Sequence, residues 1–443
     1  MGLMISYYAS VKLILILFIL LASVYLILTR KIEKYLVYGI LTSLFFFSII
    51  FGINTFVYLT IDRIGIALLI ILYFLSRKNH IKISSFENLY FIFTLSIIIS
   101  SLIVTILSGQ GMILNTAKKL TIMFVEYFLF FFVLKRVIVK YNIRNILKYT
   151  LFLGSIVGVY GILEYLTQKN VLFDFILTNN LPYNPSYEET LLWGQIRGGV
   201  MRAKSTFSHA LEFGGIQSLL LPFAMYFLFD TKKIKTKLFL LMVIGIFFVS
   251  GVVAISRSLM VVNLLTVFLF IILSRSVSPV KKLFLLIGGI VGSIILFILM
   301  FNLFFPDGVR NDLSFTQRAG NLQSGATLIN KNPFFGLGYG NIPSGQVFDN
   351  YYYSLVVQSG FTGLILFILA FTYLLFNYII KTIKEKNIQM SNFYLTMSLF
   401  VLVFLFLNLA YDASGFITVG KVFFFLLALG MAIESKLQQN SLN

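Results

Sequence analysis

Long apolar runs alternate with short polar stretches along almost the whole chain. Apolar spans near 11–28, 36–53, 61–76, 89–108, 119–134, 149–165, 210–229, 238–256, 258–274, 283–304, 351–379, 392–410 and 415–433 predict thirteen membrane-crossing helices, within a range of 12 to 14. Each approaches the roughly 20 apolar residues needed to cross a bilayer as a helix whose backbone polar groups are satisfied internally. The roughly ten-residue alternating segments of a membrane β-barrel are absent from the pattern. No fixed-period repeat and no Pro- or Ser-rich linker divides the chain, so residues 1–443 read as one polytopic, all-α membrane domain. The first apolar run, Leu13 to Leu28, lacks a small-residue cleavage site and reads as an uncleaved helix.

Composition agrees with this class. Hydrophobic residues make up 59% and charged residues 12%, against roughly 45–50% and about 25% in soluble domains. The net charge of +19 points to nucleic acid only until its distribution is seen. The connections at 30–34, 77–82, 135–148, 232–237, 275–282 and 381–386, with Lys436, hold 22 of the 35 Lys and Arg residues. They recur at alternate connections, and the positive-inside rule assigns that set to the cytoplasm. The long loops at 166–209 and 305–350 are then expected to face outward. With thirteen spans the N-terminus is outside; one miscounted early span would put it inside. Basic charge therefore serves topology and anionic lipid heads, and no nucleic-acid partner is expected.

Ionisable groups near the membrane are costly and carry most of the functional information. The chain has no cysteine, hence no disulfide or thiolate, and only two histidines, His80 and His209, which leaves no expected metal site. In "WGQIRGGVMRAKSTFSHALEFGG", Arg197, Arg202, Lys204 and His209 precede an apolar helix, with Ser208 a candidate cap. Basic side chains beside free helix N–H groups favour an anion such as a phosphate. The plainer alternative pairs them with Glu188, Glu189 and lipid heads. "ISRS" sets Arg257 at a hinge between two apolar helices, where it either faces the bundle or snorkels. "RAGNLQSGATLINKNPFFGLGYGN" reads as an amphipathic helix from Arg318 to Asn330, an Asn-Pro stop and a Gly-rich turn. Without a preceding strand that turn is not a dinucleotide site; its glycines suit close backbone approach. "FDNYYYSLVVQSGFTGL" follows, with Asp349 either a general base or a helix cap. Tyr351 to Tyr353 fit an interfacial belt or sugar stacking. Glu126, Glu164 and Asp412 are further buried charges without an assigned role.

These four segments, in this order over about residues 195–370, resemble the O-antigen ligase and polymerase family (the WaaL/Wzy families) of polytopic glycosyltransferases. The matching elements are the Arg before "TFSHALEFGG", the Ser-Arg of "ISRS", the Arg–helix–Asn-Pro–GxGxG series, and the polar pair before a helix with GxxG. The first six spans add only general similarity. The resemblance implies a GT-C-like membrane fold in the bacterial cytoplasmic (inner) membrane, with an outward-facing site acting on glycans carried by undecaprenyl diphosphate. Arg202, Arg257 and Arg318, with Arg197 and Lys204, would hold the diphosphate without metal or other cofactor. Asp349, His209 and Arg318 would be the catalytic residues, and Asn350, Tyr351 and Tyr339 would contact sugar. Lipid-linked donor and acceptor, the bilayer, a chain-length regulator and a flippase are the implied partners.

One departure matters. Ligases of the family typically have His-Asn where this chain has Asp349-Asn350, so another base is required, and a polymerase is favoured over a lipid A-core ligase. The expected function is a surface-polysaccharide (O-antigen or capsule) repeat-unit polymerase. The alternatives are a ligase acting on a lipid or protein acceptor and, from a different class, a lipid-linked oligosaccharide transporter. A transporter would show charges along the midplane and related halves, whereas here the polar residues crowd one side.

Overall fold

In a computed structural model the described residues are 32–46, 52–53, 58–76, 83–108, 113–179, 196–197, 199–304, 313–343 and 348–442. Fifteen α-helices occur among them. They are α1 Ile32–Phe46, α2 Ile61–Leu75, α3 Ser85–Ser108, α4 Ile113–Met123, α5 Phe130–Ile138, α6 Ile143–Thr167, α7 Val171–Thr178 and α8 Ala210–Asp230. The rest are α9 Ile234–Val253, α10 Arg257–Leu273, α11 Pro279–Phe304, α12 Leu313–Lys331, α13 Tyr351–Lys384, α14 Ile388–Ala410 and α15 Ile417–Leu442. Two antiparallel pairs of two residues each, β1 Gly52–Ile53 with β2 Leu59–Thr60 and β3 Ile196–Arg197 with β4 Val200–Met201, are the sheet among these residues. Among the described residues, seven helices (α3, α6, α8, α9, α13, α14 and most of α15) are long and apolar enough to cross a membrane. The protein is thus an all-α, multi-pass membrane protein. The expected first span at 11–28 lies outside the described residues, as do His80, Glu188 and Glu189.

Several boundaries differ from the hydropathy pattern. The span expected at 36–53 is helical over Ile32–Phe46, and Gly52–Ile53 is instead a strand. The span expected at 119–134 is one rod from Ile113 to Ile138, interrupted by a π-helical turn at Phe124–Leu129. The helix expected at Arg318–Asn330 starts earlier, at Leu313, and runs to Lys331, just before Asn332-Pro333. Proline lacks the donor and fixes its φ, which accounts for the stop.

The helices cross in alternation, so two unlike ends result. At one end basic side chains tie helix termini together. Lys135 and Arg136 reach Glu87 at 3.0 and 2.6 Å, Arg144 pairs with Asp230, and Lys381 pairs with Glu434. Arg275 donates to the carbonyls of Ile383 and Glu385 at 2.8 and 2.7 Å. The other end gathers the loops. α8 and α15 run through the interior, and an aromatic stack on α15 (Phe423 on Phe404 at 3.6 Å and on Phe400 at 4.9 Å) ties it to α14.

Just inside the loop end lies a buried ionic tetrad. Lys421 Nζ is 2.5 Å from Asp62 Oδ2 and 2.6 Å from Glu126 Oε2, and Arg63 Nε is 2.6 Å from Glu126 Oε1. The four groups come from α2, the π turn and α15, and their charges cancel. Two acids and two bases paired within hydrogen-bonding distance avoid the several kcal/mol that each isolated ion would cost here.

α13 is broken once. Gly360 has φ 69 and ψ −175, and a Cβ there would sit 2.1 Å from the carbonyl oxygen of Phe334. The Gly-rich turn docks into this break: the N–H of Leu337 donates to Val357 O and that of Phe361 to Pro333 O, both at 2.8 Å. Gly336, Gly338 and Gly340 all have positive φ. The backbone groups freed by breaking a helix inside the bundle are thereby paired again.

Two outcomes are expected. Lys421→Met leaves two buried carboxylates with one remaining cation and lowers stability by about 3–5 kcal/mol, read as a fall in the thermal unfolding midpoint in detergent, whereas Lys421→Arg retains most of it. Gly360→Ala combines a strained φ with a backbone clash and costs roughly 2–4 kcal/mol in the same assay.

Candidate functional site

The segment Ala203–Ser208 folds inward and is buried throughout, an unusual position for a loop. Glu164, near the end of α6, makes this possible: its carboxylate accepts from the N–H groups of Lys204 and Ser205 at 3.1 and 2.5 Å and from Asn170 Nδ2 at 2.8 Å. Ser205 takes a left-handed φ of 55, held by its Oγ donating to Val157 O. Ala203 N–H donates to Val253 O at 3.0 Å, so the segment also pairs with the end of α9. Glu164, which the sequence marked without a role, is therefore the anchor of the basic loop.

That anchoring fixes the basic groups. Arg202 Nε donates to Ala254 O at 2.9 Å, three residues before Arg257. Arg257 opens α10 after Ile255, whose φ of 47 is exceptional for a β-branched side chain. Ile255 is fully buried in a small cluster with Met260, against which Tyr165, Val200 and Leu264 pack, and this holds the strained hinge in place. Burial, and then Arg197, lowers Arg202 to about 10, and burial lowers Lys204 to about 8 against the pull of Glu164. Both remain cations at neutral pH. Lys204 Nζ lies 4.4 Å over the Phe173 ring, a cation–π contact that offsets its lost hydration.

His209 caps α8: its backbone is extended and its Nδ1 accepts from Leu211 N–H at 3.0 Å. Ser208, expected to cap this helix, instead donates its N–H and Oγ to the Glu212 carboxylate. Burial, with Arg202 and Lys204 close by, lowers His209 to about 3, so the ring is neutral. A neutral imidazole with Nδ1 engaged carries its proton on Nε2 and offers a donor there rather than a base. The ring is 5.2 Å from that of Phe416, in the turn between α14 and α15.

The same turn carries the acidic side of the site. Asp412 is raised to about 6 by burial and by the nearby carboxylate of Asp349, against hydrogen bonds from Gly415 N–H and Ser354. The sequence left Asp412 without a role, because 63 positions separate it from Asp349. Asp349 is not the helix cap: Asn350 caps α13, its Oδ1 accepting from Tyr353 N–H and its Nδ2 donating to Leu409 O. Asp349 and Asn350 line a cleft of about 210 Å³ with Asn321, Leu322, Phe348, Tyr353, Leu409 and Ala410. Tyr353 OH donates to Leu322 O and Tyr352 OH to Leu405 O, so two of the three tyrosines join helices. Tyr351 packs its ring on Phe367 at 5.2 Å. Tyr339 is raised by burial and by Asp412, and its N–H donates to Ser101 Oγ.

Arg202, Lys204 and His209 therefore lie together, with Arg197 next to Arg202 and Arg257 just past the hinge. Asp412 sits in the 411–416 turn itself, with Asp349 and Tyr339 close to it and Asn350 next to Asp349. Tyr411 OH donates to Leu211 O at 3.1 Å and ties that turn to α8 beside His209. Arg318 is placed on α12 by its backbone; its side chain is outside the described residues. Among the described residues no group of three or more His, Cys, Asp or Glu could hold a metal ion. The tetrad residues Asp62, Arg63 and Lys421 went unmarked in the sequence, although a lysine inside "TVGKVFFF" was the signal that would have found them. No protein-family model matches this chain, and no curated protein is significantly similar to it.

Asp349→Asn removes a like charge from Asp412 but not its burial. The Asp412 titration, followed by NMR of isotope-labelled aspartate, is expected to move from about 6 toward, but not down to, the ordinary aspartate value of 3.8.

Proposed function

We propose that this protein is a repeat-unit polymerase of a bacterial surface polysaccharide, working at the outer face of the cytoplasmic membrane. Supporting it, beside the sequence resemblance, is the contact of the buried basic loop, through His209 and the Tyr411–Leu211 bond, with the 411–416 turn that carries Asp412 close to Asp349. Arginine suits a diphosphate because its planar fork binds two oxygens at once and keeps its charge when buried.

In the proposed reaction a hydroxyl of the acceptor repeat unit attacks the anomeric carbon of the donor's reducing-end sugar. The bond from that carbon to the diphosphate oxygen breaks, and undecaprenyl diphosphate leaves with the electron pair. Arg202, Arg257 and Arg318, with Arg197 and Lys204, balance the charge that grows on the leaving group, the kind of fixed electrostatic stabilisation that weighs most in such transfers. Asp349 takes the hydroxyl proton, with Asp412 keeping negative charge beside it. His209 contributes an Nε2–H donor. Asn350, Tyr351 and Tyr339 border the sugar. The 12–14 spans, the outward loops at 166–209 and 305–350, and a flippase and chain-length regulator as partners belong to the same proposal.

A reconstituted assay with a purified undecaprenyl-diphosphate repeat unit tests it. Wild type is expected to give a ladder of longer lipid-linked products. Asp349→Asn should lose about 10²–10⁴-fold in rate, the usual worth of a general base, and Arg202→Ala and Arg318→Ala should lose most activity. An unextended unit that is transferred once a different acceptor is added would instead identify a ligase.

A further inference from the structure

At the basic end, the turn from α13 to α14 forms a polar groove of about 360 Å³ lined by Lys381, Lys384, Glu385, Lys386 and Tyr394. That volume is at the lower end of small-ligand pockets, about 300–1,000 Å³. A helix C-terminus ordinarily repels anions through its free carbonyls. Here three of the last four, and the carbonyl of the capping Glu385, are engaged. Lys381 O accepts from Glu385 N–H, Thr382 O from Ser391 Oγ, and Ile383 O and Glu385 O from Arg275. Arg275 thus adds a positive charge where the helix end would have left a negative one.

The remaining charges favour an anion. Lys381 is drawn inward, paired with Glu434 and set 5.9 Å from the Tyr394 ring. Glu385 turns its carboxylate back to Asn387 N–H at 2.9 Å. Lys384 and Lys386 are exposed, and no hydrogen bond or ion pair involves their side chains among the described residues. Leading away from the groove along α13, Ile383, Ile380, Phe376 and Tyr373 are all exposed. Their spacing of three and four residues makes them one continuous helix stripe. It begins one residue from Lys384 and points into the bilayer span.

A cationic groove that continues into an apolar stripe matches a molecule with a phosphate head and an acyl chain. We infer that the α13–α14 turn is a binding site for an anionic glycerophospholipid, its phosphodiester between Lys384, Lys386 and Arg275 and one acyl chain along Ile383, Ile380, Phe376 and Tyr373. The site is at the opposite end from the proposed catalytic residues and does not rest on their role. It would fix the lower end of α13, the helix whose upper end presents Asp349.

The test measures binding of fluorescent phosphatidylglycerol to the full chain in detergent, with phosphatidylcholine and inorganic phosphate as competitors. Each lysine near an anionic lipid surface contributes about one kcal/mol, or roughly fivefold. The double variant Lys384→Gln/Lys386→Gln is therefore expected to bind roughly 30-fold more weakly, with its lipid-free unfolding midpoint unchanged. A control pair elsewhere on the same end, Lys233→Gln/Lys235→Gln, should bind as wild type does, and Phe376→Ala should weaken binding by a smaller factor. Equal losses in the two lysine pairs would mean diffuse attraction and overturn the site. Equal competition by phosphatidylcholine would also overturn it, as would full displacement by inorganic phosphate at matched concentration, which would mark a free-anion site.

Discussion

The charge balance at Lys421 is the constraint around which the loop end is built. One ammonium group serves two carboxylates, Asp62 and Glu126, and Arg63 completes the neutral set. Three elements distant in sequence must arrive together for any of them to be tolerated inside the bundle. α15 is thereby held near its start, at Lys421, close to the segment that carries Asp412. Tyr127 supports the same segment, its ring 2.9 Å from where a Gly420 Cβ would lie and its OH donating to Ser414 O. The tetrad thus reaches the site by fixing the frame of one carboxylate.

Similar logic applies to the basic side. Burying the loop at 203–208 requires partners for its backbone, and Glu164 supplies two of them at once. The strained Ile255 hinge and the left-handed Ser205 flank this arrangement. Local strain of this kind, about 1–3 kcal/mol per residue, persists only where surrounding packing over-determines it. Here the surroundings are the Arg202–Ala254 contact and the fully buried Ile255 side chain.

How much of this was legible in the sequence follows from the range of each interaction. Helical spans are imposed locally, because lipid leaves backbone groups no other partner, and the helix stop at Asn332-Pro333 and the turn at Gly336–Gly340 are also local. Caps were less legible: Ser208 and Asp349 are good cap residues, yet His209 and Asn350 took those positions because the chain becomes helical one residue later. The pairings within the tetrad and the Asp349–Asp412 neighbourhood were not legible, since each joins residues brought close only by helix packing; Lys421 inside "TVGKVFFF" signalled only that some partner was needed. Glu126 in the middle of an apolar run marked a cost without revealing what met it.

The π turn at Phe124–Leu129 has a consequence for the whole rod from Ile113 to Ile138. A π turn holds one more residue than an α turn, and each residue advances an α-helix by about 100°. Upstream of that extra residue, Lys119 reaches the carbonyl of Gly340; within the turn, Glu126 meets Arg63 and Lys421; beyond it, Lys135 and Arg136 meet Glu87. The rod thus engages partners near both of its ends, and the inserted residue sets the phase between them. Removing one residue from the turn would rotate one set of contacts by more than a quarter of a revolution while leaving composition and hydropathy almost unchanged. In this chain, azimuth is encoded by residue count as much as by residue type.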